Sequence, residues 1–589
     1  MTLKPLPQAD HRQRQCKQQK RPVEVLLLQP VHAQQRGHGQ KQRKANAVQH
    51  TNRGNDNGAG IDAVETLHVG RLACWQQDGR RFPLAASYNI TRRWATTVLS
   101  LALIISTALT TAGAAASSSL PRAADAGITS RISSDPGCSA LRSEIDTRIE
   151  REQVADPRHA RIQLSPWLRS DRFLADALAR QVSSGGPTRP ILEAMANHDE
   201  AALAREIGRL GMPAVDDVTE ALNDCRRRAI EELLSGPDPS QRLTEVGVPD
   251  AYRDWQRRLG AYPLARPWLR MGAQRWRLGE HRLQREQEPP KAVIRWRGPA
   301  TAQAPTQGDV AAWLAQARAM HALNWPLPQA QHLEQMAILH APILEISSTA
   351  TADRIGRLLG HRNRPKVDTD TPSAYFEAGF TRFGERVLLQ LSYTFWFPER
   401  VASHFLDPYA GAIDGLVWRV TLDDDGQPLL WESIHACGCY YTLVLPADAR
   451  LRFHNPDAAA REDPLVLIGP SADHRIRFSV STGEHFLRWP RSADESRAEQ
   501  GVENRSYVLR AYAELLEPGS QRPPFGSDGL LAGTSRLERF FLWPAGIPDP
   551  GAMRSNGHHA TAFLGRRHFD DAQLASGMVE AIPVNHGDR

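Results

Sequence analysis

The sequence lacks the short motifs that assign a reaction. Its 589 residues contain no G-x-S-x-G, Walker A or H-E-x-x-H motif, and no G-x-G-x-x-G in a dinucleotide-binding context. No internal repeat is visible either. A functional assignment therefore has to rest on individual residues and on the places they are expected to take in the fold.

The chain also lacks a basic surplus in the part that is expected to fold. It holds 72 Lys and Arg against 66 Asp and Glu, a formal net charge of +6. Residues 1–93 contain 16 of the basic and 6 of the acidic residues, so 56 basic and 60 acidic residues follow. The folded part has no electrostatic footprint for DNA or RNA, which excludes a nucleic-acid-binding function.

The beginning of the chain reads as a leader followed by an export signal. Residues 1–90 are rich in Gln, Arg and Lys without an apolar period, a composition typical of disorder. Residues 91–116 combine a basic pair, Arg92 and Arg93, with an apolar run from Trp94 and a closing Ala-rich stretch. This is the pattern of a secretory signal peptide, although it lies far from Met1.

Two interpretations of this segment stay open. In the first, translation begins shortly before Arg92 and the mature protein begins near Ser117. In the second, residues 94–116 form a signal-anchor helix that spans the inner membrane. Both predict a periplasmic or secreted location for the remaining chain, with membrane contact only through residues 94–116.

Export determines how the scarce cysteines are interpreted. Two of the six lie in the leader, which leaves Cys138, Cys225, Cys437 and Cys439. An even number in an oxidising compartment suggests disulfides, and four cysteines allow three connectivities. The most economical one joins Cys138 to Cys225 and leaves Cys437 and Cys439 as a local pair.

The hydrophobic pattern predicts an α+β protein. Apolar residues at helical spacing indicate an N-terminal helical domain over residues 130–285, followed by a linker and helices over 286–342. Short alternating runs between turn signals then predict a mainly antiparallel β domain over 343–515, sandwich or barrel-like. In "ERVLLQLSYTFWFPER" the residues Gln390, Ser392 and Thr394 fall on one polar strand face. Residues 516–589 are expected to be an irregular, His-containing tail that packs on the β domain.

The candidate site is "IHACGCYYTLV", in which His435, Cys437 and Cys439 stand at alternate positions. On an extended strand these side chains project from one face. A bridge between the two cysteines would be strained, although Gly438 between them relaxes the backbone. Thiolate and imidazole together favour zinc or copper.

The tail offers histidines that could complete such a pocket. The metal hypothesis adds His558 and His568 to His435, Cys437 and Cys439, with Asp570 as an acceptor for an imidazole N–H. The thiol hypothesis makes Cys437 or Cys439 a nucleophile activated by His559 or His568, oriented by Asp570 or Asn556.

Two non-catalytic alternatives to these hypotheses stay open. The cysteines could form a structural disulfide, or pack as buried thiols beside a core histidine. The chain could also be a non-enzymatic envelope or glycan-binding protein that uses its tryptophans to stack on carbohydrate, although tryptophans at strand positions more often belong to a core.

Overall fold

Helices dominate the first part of the described chain and strands the second. The computed structural model describes residues 137–582 apart from 164, 212–215, 237–238, 245, 249, 301–303, 361–364, 494–500 and 517–523. The chain divides into two units, Met1–Ser119 and Leu120–Arg589, and every described residue belongs to the second. The leader and residues 91–116 lie outside the described residues, so what was predicted for them stays a prediction.

The helical part begins with a run of helices interrupted by one short pair of strands. The helices are α1 (Cys138–Glu152), α2 (Arg172–Ser184), α3 (Arg189–Arg209), α4 (Asp216–Ser235), α5 (Pro239–Thr244), α6 (Asp254–Leu259) and α7 (Tyr262–Glu286). Strands β1 (Ala160–Arg161) and β2 (Arg169–Ser170) pair antiparallel ahead of α2. Two further helices, α8 (Gln307–Met320) and α9 (Ala330–Leu339), follow the first strand of the larger sheets.

A seven-stranded sheet forms the centre of the molecule. Its order is β13 (Leu465–Ile468), β11 (Thr442–Leu445), β10 (Pro428–His435), β9 (Gly411–Leu422), β8 (Arg386–Arg400), β7 (Ser373–Phe383) and β17 (Val508–Ala511). The inner pairs are antiparallel, and the two outermost pairs are parallel.

A five-stranded mixed sheet packs against it. Its order is β15 (Leu487–Ser492), β14 (Ile476–Val480), β4 (Ile343–Ile346), β3 (Ile294–Arg297) and β16 (Glu503–Ser506). Two smaller pairs join β5 (Arg357–Leu359) with β6 (Lys366–Asp368), and β12 (Leu451–Phe453) with β18 (Val579–Ala581). A short helix, α10 (Arg539–Leu542), lies in the tail.

The two large sheets bury one core between them. Trp418 of β9 and Phe478 of β14 have ring centroids 4.9 Å apart, and Phe395 of β8 meets Tyr507 edge-on at 5.4 Å. These side chains are almost fully buried, as expected for the facing layers of a sandwich. The predicted α+β class with mainly antiparallel and mixed sheets is confirmed.

The alternation along β8 holds, but its polar face is not open to water. Leu389, Leu391 and Tyr393 belong to the core between the sheets, as predicted. Gln390 on the opposite face is buried, because helices and the C-terminal tail cover this side of the sheet. The polar face is therefore the floor of a cleft that helices and the tail partly cover.

The predicted disulfide between Cys138 and Cys225 is present. It joins the start of α1 to α4, with a Cα–Cα distance of 5.5 Å. This bond fits an extracytoplasmic, oxidising compartment. Among the described helices, none is both long enough and apolar enough to cross a membrane.

Candidate functional site

The H-x-C-x-C segment forms a turn at the end of a strand. Strand β10 ends at His435, and the Gly438 N–H donates to the His435 carbonyl at 2.7 Å. Gly438 has a φ of +93° and Tyr440 a φ of +62°, so the backbone leaves the extended conformation here. The prediction that the three side chains alternate along one strand face is wrong, since the strand stops before the cysteines.

Both cysteines of the turn are free and close together. The backbone N–H of Cys439 lies 3.4 Å from the Cys437 Sγ. A hydrogen bond between the two thiols lowers the pKa of Cys437 and raises that of Cys439 well above its usual value. The thiol-based hypothesis stays a prediction.

His435 is a buried, neutral histidine. Its ring contacts Tyr440 and Phe486, and its Nδ1 lies 3.8 Å from the Asp414 Oδ1. Burial lowers the pKa of His435 to about 3, although Asp414 acts in the opposite direction. Asp414 instead accepts hydrogen bonds from Arg536 and His485.

The tail crosses the turn, but two of its histidines face the helices. The Arg554 backbone N–H donates to the Ala436 carbonyl at 2.8 Å, and the Arg554 side chain donates to the Cys437 carbonyl at 3.2 Å. The ring of His558 bonds the Pro157 carbonyl at 2.6 Å. His568 binds Asp250 at 3.1 Å and lies 3.4 Å from Asp571. Asp570, predicted as its acceptor, pairs with Arg172 at 3.3 Å.

The predicted metal ligands do not form a converged donor set. Within the described ranges, three other residues do converge: His159, Asp171 and His198 have their ligand atoms within 4.8 Å of one another. A metal at the H-x-C-x-C turn therefore stays a prediction without a matching geometry. The tryptophans Trp396, Trp418 and Trp431 are fully buried, so they cannot stack on a carbohydrate from the surface.

The converged donors line a cavity of about 390 Å³ between the helices, the sheet and the tail. Its floor is the polar face of the seven-stranded sheet. Polar and aromatic side chains from all three parts line the cavity. They are Arg158, His159, Asp171, Phe173 and His198 from the helical part, Glu377, Phe380, Gln390, Ser392 and Arg419 from the sheet, and Asn556, His559, Phe569 and Asp570 from the tail.

Three different elements bring the donors together. His159 lies just before β1, Asp171 is the N-cap of α2, and His198 lies within α3. The Asp171 carboxylate accepts the Leu174 N–H at 2.7 Å, which fixes its orientation. The two imidazole rings stack with centroids 3.8 Å apart, and the Nδ1 atom of each is buried without a hydrogen-bond partner among the described residues.

The electrostatics of the cavity keep both imidazoles neutral. Burial lowers the pKa of His198 to about 4 and that of His159 well below its usual value. Burial also raises the pKa of Asp171 to about 6. At neutral pH the group therefore presents two imidazole lone pairs and a carboxylate, the protonation states that metal ligands require.

A buried ion network holds the backbone behind these donors. Asp199, next to His198, accepts hydrogen bonds from Arg142, Arg169 and Arg226, and none of the four is more than 5% exposed. Arg169 also binds Glu206 at 2.7 Å, which connects β2 to α3. Such a network fixes the spacing between the loop of His159 and the helix of His198.

The opposite wall is polar and includes one of the predicted histidines. His559 is 2% exposed, and its Nε2 has no partner in the described part of the chain. The Ala436 carbonyl, next to Cys437, accepts the Arg554 N–H at 2.8 Å, so the H-x-C-x-C turn is tied to the tail segment that carries His559. Beside it, Asn556 donates to Glu377 at 2.6 Å. His559 is thus the one tail histidine of the prediction that reaches the cavity.

Sequence reasoning missed His159, Asp171 and His198. They lie 12 and 27 residues apart in a stretch that reads as ordinary helices, and no motif spacing connects them. The polar residues on one face of β8 were the available signal. When helices cover a sheet face that carries polar side chains, a polar cavity is expected between them.

Comparisons with known proteins add no assignment. No protein family matches the chain, no curated protein is significantly similar to it, and no solved structure matches it.

Proposed function

We propose that the protein is an exported metal-dependent enzyme of hydrolytic type, with a divalent transition metal held by His159, His198 and Asp171. The observation that carries the proposal is the convergence of these donor atoms to within 4.8 Å of one another at a cavity wall. This cavity replaces the H-x-C-x-C turn as the proposed site.

The donor set suits a catalytic ion. Two imidazoles and one carboxylate bind catalytic zinc in several enzyme classes, and bond lengths of about 2.0–2.2 Å place such donors roughly 3.4 Å apart. The stacked rings would rotate to bring their donors to this spacing, and Asp171 would bind through Oδ2 while its Oδ1 keeps the Leu174 N–H. Three protein ligands would leave zinc or a similar ion with a free coordination position for water, whose pKa the ion would lower.

The chain's own residues then divide the remaining tasks. Burial lowers the pKa of His559 to about 3, so its unpartnered Nε2 stays neutral and is available to accept a hydrogen bond from a bound substrate. Glu377, held by Asn556, supplies a second polar contact. Phe173, Trp325 and Phe380 form an apolar cluster with centroids 4.9 to 5.8 Å apart at the same cavity, which suits a substrate with one apolar face.

Export forms the second half of the proposal. The Cys138–Cys225 disulfide supports it, together with the signal-like pattern of residues 91–116 in the sequence. Envelope components, carbohydrate among them, are the substrates that such a location offers.

Metal analysis of purified protein tests the proposal. The full chain is stripped with a chelator, titrated with Zn²⁺ by calorimetry, and compared with His198→Ala and Asp171→Asn. Asparagine keeps the N-cap acceptor for Leu174 and removes only the anionic ligand. His332→Ala is the matched control, because this ring stacks on Trp313 in another part of the chain.

The proposal predicts one tight site in the wild type and in the control. Both cavity variants should bind at least about a hundredfold more weakly while their circular dichroism stays unchanged. Equal affinity in all four proteins would overturn the proposal. Loss of binding in a Cys437→Ser/Cys439→Ser variant instead would return the metal to the H-x-C-x-C turn, and no binding at all would favour the non-enzymatic alternative.

A further inference from the structure

A row of exposed apolar side chains runs along α6 and α7. On α7 the positions 264, 268, 271, 275, 278, 282 and 285 are all exposed, and their spacing of four and three residues forms one stripe. Four of them are large and apolar: Leu264 (82% exposed), Trp268 (48%), Met271 (61%) and Leu278 (62%). Soluble proteins rarely leave such a continuous stripe in water without a use for it.

Neighbouring segments extend this surface. On α6, Trp255 and Leu259 are exposed, and α10 adds Phe540 and Phe541. The Arg253 N–H donates to the Gly546 carbonyl at 2.7 Å, which holds the segment after α10 against α6. We name the exposed side chains of α6, α7 and α10 the apolar face.

The loop before β9 continues the apolar face. Phe405 is 98% exposed and Leu406 is 70% exposed. The Glu538 N–H donates to the Pro408 carbonyl at 3.1 Å, so this loop is tied to the residue before α10.

The same surface is strongly basic. Residues 253–286 contain nine arginines against three acidic residues, Asp254, Glu280 and Glu286. Glu280 is buried in an ion pair with Arg488, at 2.6 Å, and faces inward. Arg258 is exposed beside Leu259, and Arg275 and Arg285 are exposed on the stripe itself, whereas Arg282 on the stripe pairs with Glu286 at 2.9 Å.

We propose that the apolar face docks on an anionic phospholipid bilayer. Exposed Trp, Phe and Leu beside a surplus of arginine are the composition of helices that lie in the membrane interface. Arginine stems pass along apolar surface while their guanidinium groups reach lipid phosphates. Each basic residue near an anionic membrane contributes about 1 kcal/mol of attraction.

A second copy of the chain is a less suitable occupant. In a two-fold contact the same surface meets itself, so both partners bring the same surplus of arginine to the contact. Like charges facing each other oppose association. An anionic membrane offers both the apolar depth and the opposite charge.

The inner side of α7 is fixed independently of the outer face. Leu269 is 3% exposed, and Trp276 packs on Tyr440 with ring centroids 5.1 Å apart. Arg488 binds both Glu280 oxygens, at 2.6 and 2.7 Å. Substitutions on the stripe therefore change the surface without removing the contacts that hold the helix.

Vesicle sedimentation tests the proposal with the full chain. The probes are vesicles of phosphatidylcholine alone and of phosphatidylcholine and phosphatidylglycerol in roughly equal parts. The variants are Leu264→Ser/Trp268→Ser and Arg275→Gln/Arg285→Gln. The control is Met320→Ser/Val508→Ser, two residues that are 73% and 50% exposed elsewhere. Every protein carries residues 94–116, so any binding through that run is common to all.

The wild type and the control should bind the anionic vesicles, and salt should weaken the binding. The apolar variant should bind roughly tenfold more weakly, and so should the arginine variant on anionic vesicles. Equal binding by all four proteins, or equal binding to neutral vesicles, would overturn the proposal. A self-association that the variants abolish, with vesicle binding unchanged, would overturn it in favour of a contact between copies.

Discussion

Removal of the Cys138–Cys225 disulfide should have a large and calculable effect on stability. The bond closes a loop with a sequence separation of 87 residues between α1 and α4. Loop-closure entropy for a loop of this length corresponds to about 4.6 kcal/mol at room temperature. The Cys138→Ala/Cys225→Ala variant should lose an amount of this order in its free energy of unfolding, because its unfolded chain gains the freedom that the bond had removed.

Urea denaturation followed by circular dichroism of the helices measures the loss. The variant should unfold at a lower midpoint, and its unfolding should depend more steeply on urea because its unfolded chain is more expanded. Reductant should move the wild type to the variant's midpoint and leave the variant unchanged. A loss below about 1 kcal/mol would refute the view that the bond acts mainly on the unfolded chain.

Two further predictions concern buried groups near the H-x-C-x-C turn. Burial raises the pKa of Glu538 to about 7, so the folded protein favours the protonated carboxyl and its free energy of unfolding falls as pH rises from about 4.5 to 7. Glu538→Gln should remove up to about 3 kcal/mol of this fall. The measurement is the difference in free energy of unfolding between wild type and variant, compared at pH 5 and pH 8. A constant difference would contradict it. Gly438→Ala should cost about 2 kcal/mol or more in urea unfolding, because its φ is +93° and the new Cβ would lie 2.5 Å from the Ala560 carbonyl oxygen. The control Gly384→Ala, with a φ of +63° and open space, should cost only about 1 kcal/mol; equal costs would show that the Ala560 contact is unimportant.

The fold class and one covalent bond could be predicted because they depend on local patterns. Period-two alternation along β8 reports which residues face the core, and the structure places Leu389, Leu391 and Tyr393 there. Counting cysteines in a chain that is predicted to be exported was enough to favour the Cys138–Cys225 pair, which the structure contains.

The cavity could not be predicted because its residues meet only through tertiary packing. His159 precedes a two-residue strand, His198 lies in the middle of a helix, and Asp171 reads as an ordinary N-cap. Their convergence depends on the ion network of Arg169, Asp199 and Glu206, which has no sequence signature.

The turn at Gly438 shows a second limit of pattern reasoning. Alternate spacing of His435, Cys437 and Cys439 indicates a common face only while the strand continues. A glycine with positive φ ends the extended backbone, and the tail then packs its Ala560 backbone against it. The prediction that the tail folds back onto this region was useful nonetheless, because His559 reaches the cavity by that route.

Anomalous diffraction from crystals grown with zinc would show where the protein binds the ion. We expect a peak at about 2.0–2.2 Å from donor atoms of His159, His198 and Asp171. In Asp171→Asn crystals grown in the same way, this peak should disappear. A zinc peak at Cys437 and Cys439 with none in the cavity would rule out the proposed metal site.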